Sequence, residues 1–427
     1  MSSQHATFQP GESFAKALDL GDPLARFRDR FLIPHRPDGR PVIYLCGNSL
    51  GLQPTTAAEI VNQELRDWGE LAVDAHFRGK RPWYPYHVQL RDAGARLVGA
   101  RPHEVVFMNG LTVNLHLLMA SFYRPTPQRF KILIENCAFP SDIYAARTQL
   151  RLHGFDPATA LLTASPRPGE YTLHTEDIET LLQREGRHIA LVLLGGVNYF
   201  TGQFLDLPRI TAAAQAQGCI VAFDLAHAAG NVPLQLHDWN IDFAAWCTYK
   251  YLNSGPGALA GCFIHERHVQ DRALPRLGGW WGNDPATRFR MHLNETFEPV
   301  PSADAWQLSN PPILSAAPLV ASLAIFDEAG MPALREKSLR LTGYLQFLLD
   351  QIPSERYTVI TPRDAERRGC QLSILAHHRP KELFRSLEAD GVVCDFREPN
   401  VVRVAPVPLY NTYHEVWRFA EILRRHV

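Results

Sequence analysis

Between residues 104 and 247, short and almost unbroken apolar runs alternate with helical stretches, and this rhythm constrains the fold more than any other feature. Glu104–Met108, Phe130–Ile134, Ile189–Leu194, Cys219–Phe223 and Phe243–Cys247 read as strands. Helices are expected through Asn114–Met119 and from about Leu207 to Gln217. A strand buried on both faces carries continuous rather than alternating apolar residues, and a helical crossover makes its neighbours parallel. The expected core is therefore α/β: a mostly parallel sheet with helices on both faces. Ligands of such sheets bind beyond the carboxyl ends of the strands.

Two of those ends carry charge. Asp224 follows Cys219–Phe223, and Tyr249-Lys250 follows Phe243–Cys247. A lysine at the mouth of a buried strand is costly unless its charge is used or removed. An imine with the aldehyde of pyridoxal 5'-phosphate (PLP) is one such use. That cofactor also needs a carboxylate to keep its ring nitrogen protonated, and Asp224 is placed to supply it. Alone, either residue reads as a surface charge; a phosphate feature at the same edge favours the cofactor. Phe107–Asn114 passes from strand to helix through Gly110, with Thr112 in the first turn. Free N–H groups and the positive end of the helix dipole suit a phosphate there, although Thr112 equally suits an ordinary helix cap. After the next strand come Phe139, Pro140, Ser141 and Asp142, taken together as cofactor-site candidates. Phe139 can stack on a pyridine ring, and Asp142 can add negative potential near its nitrogen. The same four residues also fit a loop and helix cap.

A chain of 427 residues, 46% of them apolar, is expected to form two domains. Lys+Arg of 43 against Asp+Glu of 44 offers no basic face for nucleic acid. Apolar runs such as Ile189–Leu194 are far too short to span a membrane, and the polar start lacks a signal-peptide core. The cysteines number seven, mostly inside apolar patterns, and read as reduced thiols of a cytoplasmic protein. No spacing suggests a metal. Prolines near Ser309–Pro312 mark a boundary. Beyond it, a helical region from about Leu319 to Ile352, broken at Gly330, precedes short strands and a final helix from Tyr413. The expected division is an N-terminal segment 1–55 packing on the tail, a large domain 56–312 and a small α+β domain 313–427.

Several long motifs are specific. They include LCGNSLGLQP at Leu45–Pro54, AFPSD at Ala138–Asp142, FDLAHAAGN at Phe223–Asn231, YKYLNSGPG at Tyr249–Gly257, LSNPPIL at Leu308–Leu314 and RVAPVPLYN at Arg403–Asn411. Through them the chain closely resembles the kynureninase family from Tyr44 to Tyr413. The resemblance implies a PLP-dependent transferase fold of type I, with a mostly parallel seven-stranded sheet and a smaller C-terminal α+β domain. It implies a homodimer with sites at the subunit interface. It also implies hydrolytic Cβ–Cγ cleavage of L-kynurenine or 3-hydroxy-L-kynurenine to the anthranilate product and L-alanine.

The roles it implies are catalytic for Lys250, as the Schiff-base lysine, and for Asp224 and Tyr249. Leu111, Thr112 and Tyr249 match phosphate ligands, as does Trp280, which the family supplies from the second subunit. Phe139 and Asp142 match residues at the ring, and His227 a neighbour of the cofactor. Arg403 matches the arginine that holds the substrate carboxylate. Ser49, His76 and Asn310 match residues around the substrate's aromatic end, and Asn310 also counts among the cofactor residues. Gly195 stands where some relatives carry a hydroxyl.

Two other chemistries compete. Gly47–Gly51 fits the G-x-S-x-G elbow of serine hydrolases, but Leu52-Gln53-Pro54 delays the helix that pattern needs. A cysteine desulfurase would need a reactive cysteine on a mobile loop, whereas Cys370 and Cys394 sit in or beside strand patterns.

Overall fold

A computed structural model describes residues 8–426, apart from 294 and 354. In chain order the strands are β1 (Ile43–Tyr44), β2 (Val105–Met108), β3 (Lys131–Glu135), β4 (Leu161–Ala164), β5 (Ile189–Gly195), β6 (Ile220–Asp224), β7 (Phe243–Trp246), β8 (Ala260–Ile264), β9 (Tyr357–Val359), β10 (Leu372–Ala376), β11 (Val392–Val393), β12 (Asp395–Arg397) and β13 (Val401–Val404).

The main sheet has seven strands in the order β2-β8-β7-β6-β5-β3-β4. From β7 across to β4 every pair is parallel, while β8 runs antiparallel to both β2 and β7. Residues 189–194, 221–224 and 243–246 are buried throughout, as continuous apolar runs require. The pairing of β7 with β8 depends on Gly261, where an added Cβ would stand 2.3 Å from the Trp246 ring. Strands β4 and β8 were not anticipated. In β4 Leu161 and Leu162 are only partly buried and Thr163 is exposed, and the short apolar run of β8 contains Gly261.

The smaller sheet is antiparallel, in the order β12-β13-β10-β9. It shares a core with the helices Met331–Asp350 and Tyr413–His426. The break at Gly330 is a positive-φ turn (φ 75°) joining Ile313–Ala329 to Met331–Asp350. Ile313–Ala329 packs against the helices Ala57–Leu71 and Tyr86–Val98 and contributes Leu319, Leu323 and Phe326 to the core of the main sheet. Among the described residues no single helix is long and apolar enough to cross a membrane; these two qualify only as a pair, and they meet at 81°.

Residues 8–50 carry a helix and a short strand. The helix Glu12–Leu20 lies on Tyr413–His426, and β1 pairs with β11. Leu24, Phe27 and Phe31 enter the core of the main sheet instead. The segment therefore ties both cores together.

Candidate active site

Strand β2 turns into the helix Leu111–Phe122 through Asn109, the residue that takes the left-handed conformation (φ 43°). Gly110, where the sequence reading placed the turn, is extended. Asn109 Nδ2 donates to Asn114 Oδ1 (3.0 Å), and Asn114 Nδ2 donates to the Met108 carbonyl (2.7 Å). The turn is thus fixed, and the first N–H groups of the helix have no intrahelical acceptor. Leu111 and Thr112 line a cavity of about 250 Å³ at the carboxyl ends of the strands. The Thr112 and Ser141 hydroxyls are hydrogen-bonded at 2.8 Å, so the N-termini of two helices converge on this end. Pro140 is the first residue of the helix Pro140–Leu152, and Phe139 caps it.

Carboxylic acids gather in the cavity wall. Asp224 ends β6 and accepts the Ala226 N–H at 2.7 Å. Burial pushes Asp142 well above the usual carboxylate range, reinforced by the charge of Asp224 and a hydrogen bond to it. Glu135, at the end of β3, also lines the cavity and is raised to about 7 by burial. Its two oxygens accept the Gly195 N–H at 3.1 and 3.0 Å. Glu135 was not among the expected site residues.

Lys250 Nζ lies 3.0 Å from His227 Nε2 and 5.7 Å from the centre of the Phe139 ring. Burial, then the nearby Lys250 charge, lowers His227 well below its ordinary value. The imidazole is therefore neutral and can accept a hydrogen bond from Lys250 Nζ through Nε2. Its hydrogen sits on Nδ1, which has no partner. Lys16, Lys131, Lys337 and Lys381 each pair with a carboxylate within 4.0 Å; Lys250 pairs with none among the described residues. Tyr249 also lines the cavity, and burial raises its phenol above the ordinary value.

Tyr199 closes the wall edge-on to Phe139, with ring centres 5.3 Å apart. Behind it Arg403, 1% exposed, donates to the Tyr199 carbonyl (2.7 Å) and through Nε to Asp395 (2.9 Å). Arg397 shares Asp395 at 2.9 Å. Ser49 sits in the turn after Cys46, its N–H bonded to the Cys46 carbonyl at 2.9 Å. Two residues on, Gly51 N–H donates to the Tyr249 carbonyl (2.8 Å). No helix follows until Ala57, so Ser49 is on no nucleophile elbow.

Of the expected site residues, Ser49, Pro140, Arg403, His76, Trp280 and Asn310 do not line this cavity within one chain. Trp280 is exposed and packs on Trp281, which packs on Tyr84; the Tyr84 N–H in turn bonds the His76 carbonyl at 3.0 Å. Asn310 is exposed two residues beyond Leu308, whose carbonyl accepts the Trp281 N–H. His76, Trp280 and Asn310 thus share one surface patch with the exposed Phe77 and Phe289. Cys370 and Cys394 are buried, and burial raises both thiols, Cys370 to about 12, so neither is a reactive thiol on a loop.

A family model for class I and II aminotransferases matches residues 41–242. The cysteine desulfurase CsdA from Escherichia coli superimposes with a TM-score of 0.75 at 18% identity, over 94% of this chain and 98% of that one. A C-DES variant with glycine covalently linked to its PLP cofactor also gives 0.75 at 18%, over 93% and 98%. Likeness at that identity defines the fold: this is the aminotransferase-like architecture of PLP-dependent proteins. A model of the kynureninase C-terminal domain matches residues 334–423. The kynureninase of Koribacter versatilis is 57% identical over 416 residues, 97% of this chain and 98% of that one, and the kynureninase of Myxococcus xanthus is 56% identical over 419 residues, 98% of each. The chain belongs to the kynureninase family.

Proposed function

We propose that the chain holds PLP on Lys250 and hydrolyses the Cβ–Cγ bond of L-kynurenine, 3-hydroxy-L-kynurenine or both, in tryptophan catabolism and NAD biosynthesis. The products are anthranilate or 3-hydroxyanthranilate, plus L-alanine. The observation that carries this is the Lys250 amine, without a carboxylate partner, in a cavity with a helix N-terminus at one end and buried acids at the other. The donor set fits the cofactor. Three carboxyl groups share the cavity with one lysine, a setting that would favour a cationic ligand such as a protonated pyridine ring. Leu111, Thr112 and Ser141 suit the phosphate.

Bound PLP supplies an electron sink for the bond that breaks. The chain's own residues do the rest. Asp224 holds the proton on the ring nitrogen, with Asp142 beside it. Phe139, which lines the cavity, would offer its face to the ring. Arg403, whose Nη2 lies 2.9 Å from Asp395 but makes no hydrogen bond, would take the substrate carboxylate. Lys250 Nζ would take the α-proton and pass it on, with the neutral His227 3.0 Å away. Tyr249, protonated in its buried site, serves as an acid–base relay or as a phosphate ligand.

The functional unit of this reading is a homodimer. The patch of His76, Trp280 and Asn310 faces the partner's cavity, Trp280 towards the phosphate and the other two, with Ser49, towards the aryl ring. The division into residues 1–55, 56–312 and 313–427 belongs to the same reading. So does a cytoplasmic location, which the free thiols suit. A paired assay tests the function: kynurenine and 3-hydroxykynurenine are each followed by aryl product and alanine. We expect turnover of at least one, with 3-hydroxykynurenine used at least as well as kynurenine. Release of neither product from either substrate by PLP-loaded protein would sink the proposal.

A further inference from the structure

Glu135 is a fully formed part of the cavity for which the reaction as proposed has no use. It ends β3, is 4% exposed, and places both oxygens on the N–H of Gly195, the last residue of β5. Gly195 is in register with Asp224 on β6, and the next N–H, that of Gly196, donates to the Asp224 carbonyl at 2.8 Å. Glu135 thus grips the backbone beside which Asp224 is held. Space is reserved for it: a Cβ at residue 195 would stand 2.8 Å from Glu135 Oε1.

The grip uses more charge than it needs. A single N–H is satisfied by a neutral amide oxygen, yet this position spends a buried carboxyl group on it, next to two others. A buried carboxyl group without a cationic partner is costly, and no ion pair to Glu135 exists among the described residues. The groups facing it are Asp224 on β6, Asp142 on the helix Pro140–Leu152, Cys137 in the turn after β3 and the amide of Asn198 after β5. Lys250 and His227 lie across the same cavity. No cation on the protein is assigned to this acid, so a cationic ligand is what would make its charge favourable.

We propose that Glu135 is a positioning residue for the cofactor. Through Gly195 it fixes the end of β5 against Asp224, and its charge adds to the negative potential that holds protons on the pyridine nitrogen and on the Lys250 imine. The inference rests on PLP being bound at Lys250. Burial raises Glu135 to about 7, so its carboxyl is protonated in much of an empty site at neutral pH and gives up the proton when a cation enters.

The test uses PLP-loaded protein, with its visible spectrum followed from acid to alkaline pH, and Glu135→Gln. Glutamine keeps the size and the acceptor for the Gly195 N–H but removes the charge. The spectral midpoint of the lysine imine should move to lower pH by about one unit, and PLP should be released more readily, by about tenfold. Glu135→Asp keeps the charge and should hold the midpoint near wild type while weakening PLP retention through the lost contact with Gly195. An amide variant with the wild-type midpoint and retention overturns the proposal. If the amide does not fold, a displaced midpoint in the aspartate variant overturns it, and a wild-type midpoint with weaker retention supports it. Failure of the underlying reading looks different: wild-type protein itself would gain no colour with PLP.

Discussion

Arg403→Ala separates binding from folding because of how the guanidinium is held. Its Nε lies 2.9 Å from Asp395, its Nη1 2.7 Å from the Tyr199 carbonyl, and the side chain is almost wholly enclosed. Removing one member of a buried ion pair usually costs about 3–5 kcal/mol, because the other charge is left stranded. Asp395 is not stranded here, since Arg397 Nε stays at 2.9 Å and Arg397 Nη2 at 3.0 Å. The loss of stability should therefore be nearer that of the lost charge-assisted bonds, about 1.5–3 kcal/mol. Substrate binding has no such reserve. Losing a guanidinium contact to a carboxylate costs about 3 kcal/mol, or roughly a hundredfold in KM. Steady-state kinetics on kynurenine, with urea denaturation in parallel, reads both quantities. Arg403→Lys keeps the charge but loses the planar fork and should fall between the two. An unchanged KM in a folded, PLP-loaded Arg403→Ala protein would refute the assignment and place the carboxylate elsewhere.

Asp224→Ala should cripple turnover far more than Asp142→Ala, since only the carboxylate on the ring nitrogen keeps it charged; the reverse ranking in kcat would show the roles exchanged. Thr112→Ala should weaken PLP retention by about tenfold, measured by equilibrium dialysis, through loss of a hydroxyl donor to the phosphate; unaltered retention would move the phosphate away from this helix. His87, packed on Trp281, is pushed down to about 4 by burial from an ordinary value of 6.5. The unfolded chain binds that proton more readily, so the contribution to stability is full above pH 6.5 and is lost as pH falls towards 4. Urea midpoints at neutral and mildly acid pH should show a decline on acidification that His87→Gln lessens, and equal slopes would contradict it.

Much of this architecture was legible because buried parallel strands leave continuous apolar runs. Ile189–Leu194 and Phe243–Cys247 each announce a strand, and the charged residues that follow mark the edge where ligands bind. What escaped was whatever depends on a partner distant in the chain. Nothing near Glu135 in the chain marks it out, because the N–H it binds belongs to Gly195, sixty residues later. Strand β8 is hidden because Gly261, a weak strand former, is there to admit the Trp246 ring. Asp395 looks like half of a local pair with Arg397, and only the register of β12 on β13 sets it opposite Arg403. Asn109 could have been found, since Asn-Gly is a turn dipeptide and asparagine tolerates the left-handed conformation. The patch carrying His76, Trp280 and Asn310 was reached through family resemblance, not through periodicity or spacing.

The central claim is that Lys250 carries the cofactor, and reductive trapping tests it most directly. Protein loaded with PLP is reduced with borohydride, digested, and searched by mass spectrometry for the pyridoxyl group. The account predicts the label on Lys250, and a Lys250→Ala protein that binds PLP without a reducible bond and loses turnover by many orders of magnitude. A label on Lys16, Lys80, Lys131, Lys337 or Lys381 in place of Lys250, or a trapped adduct that survives Lys250→Ala, would contradict it.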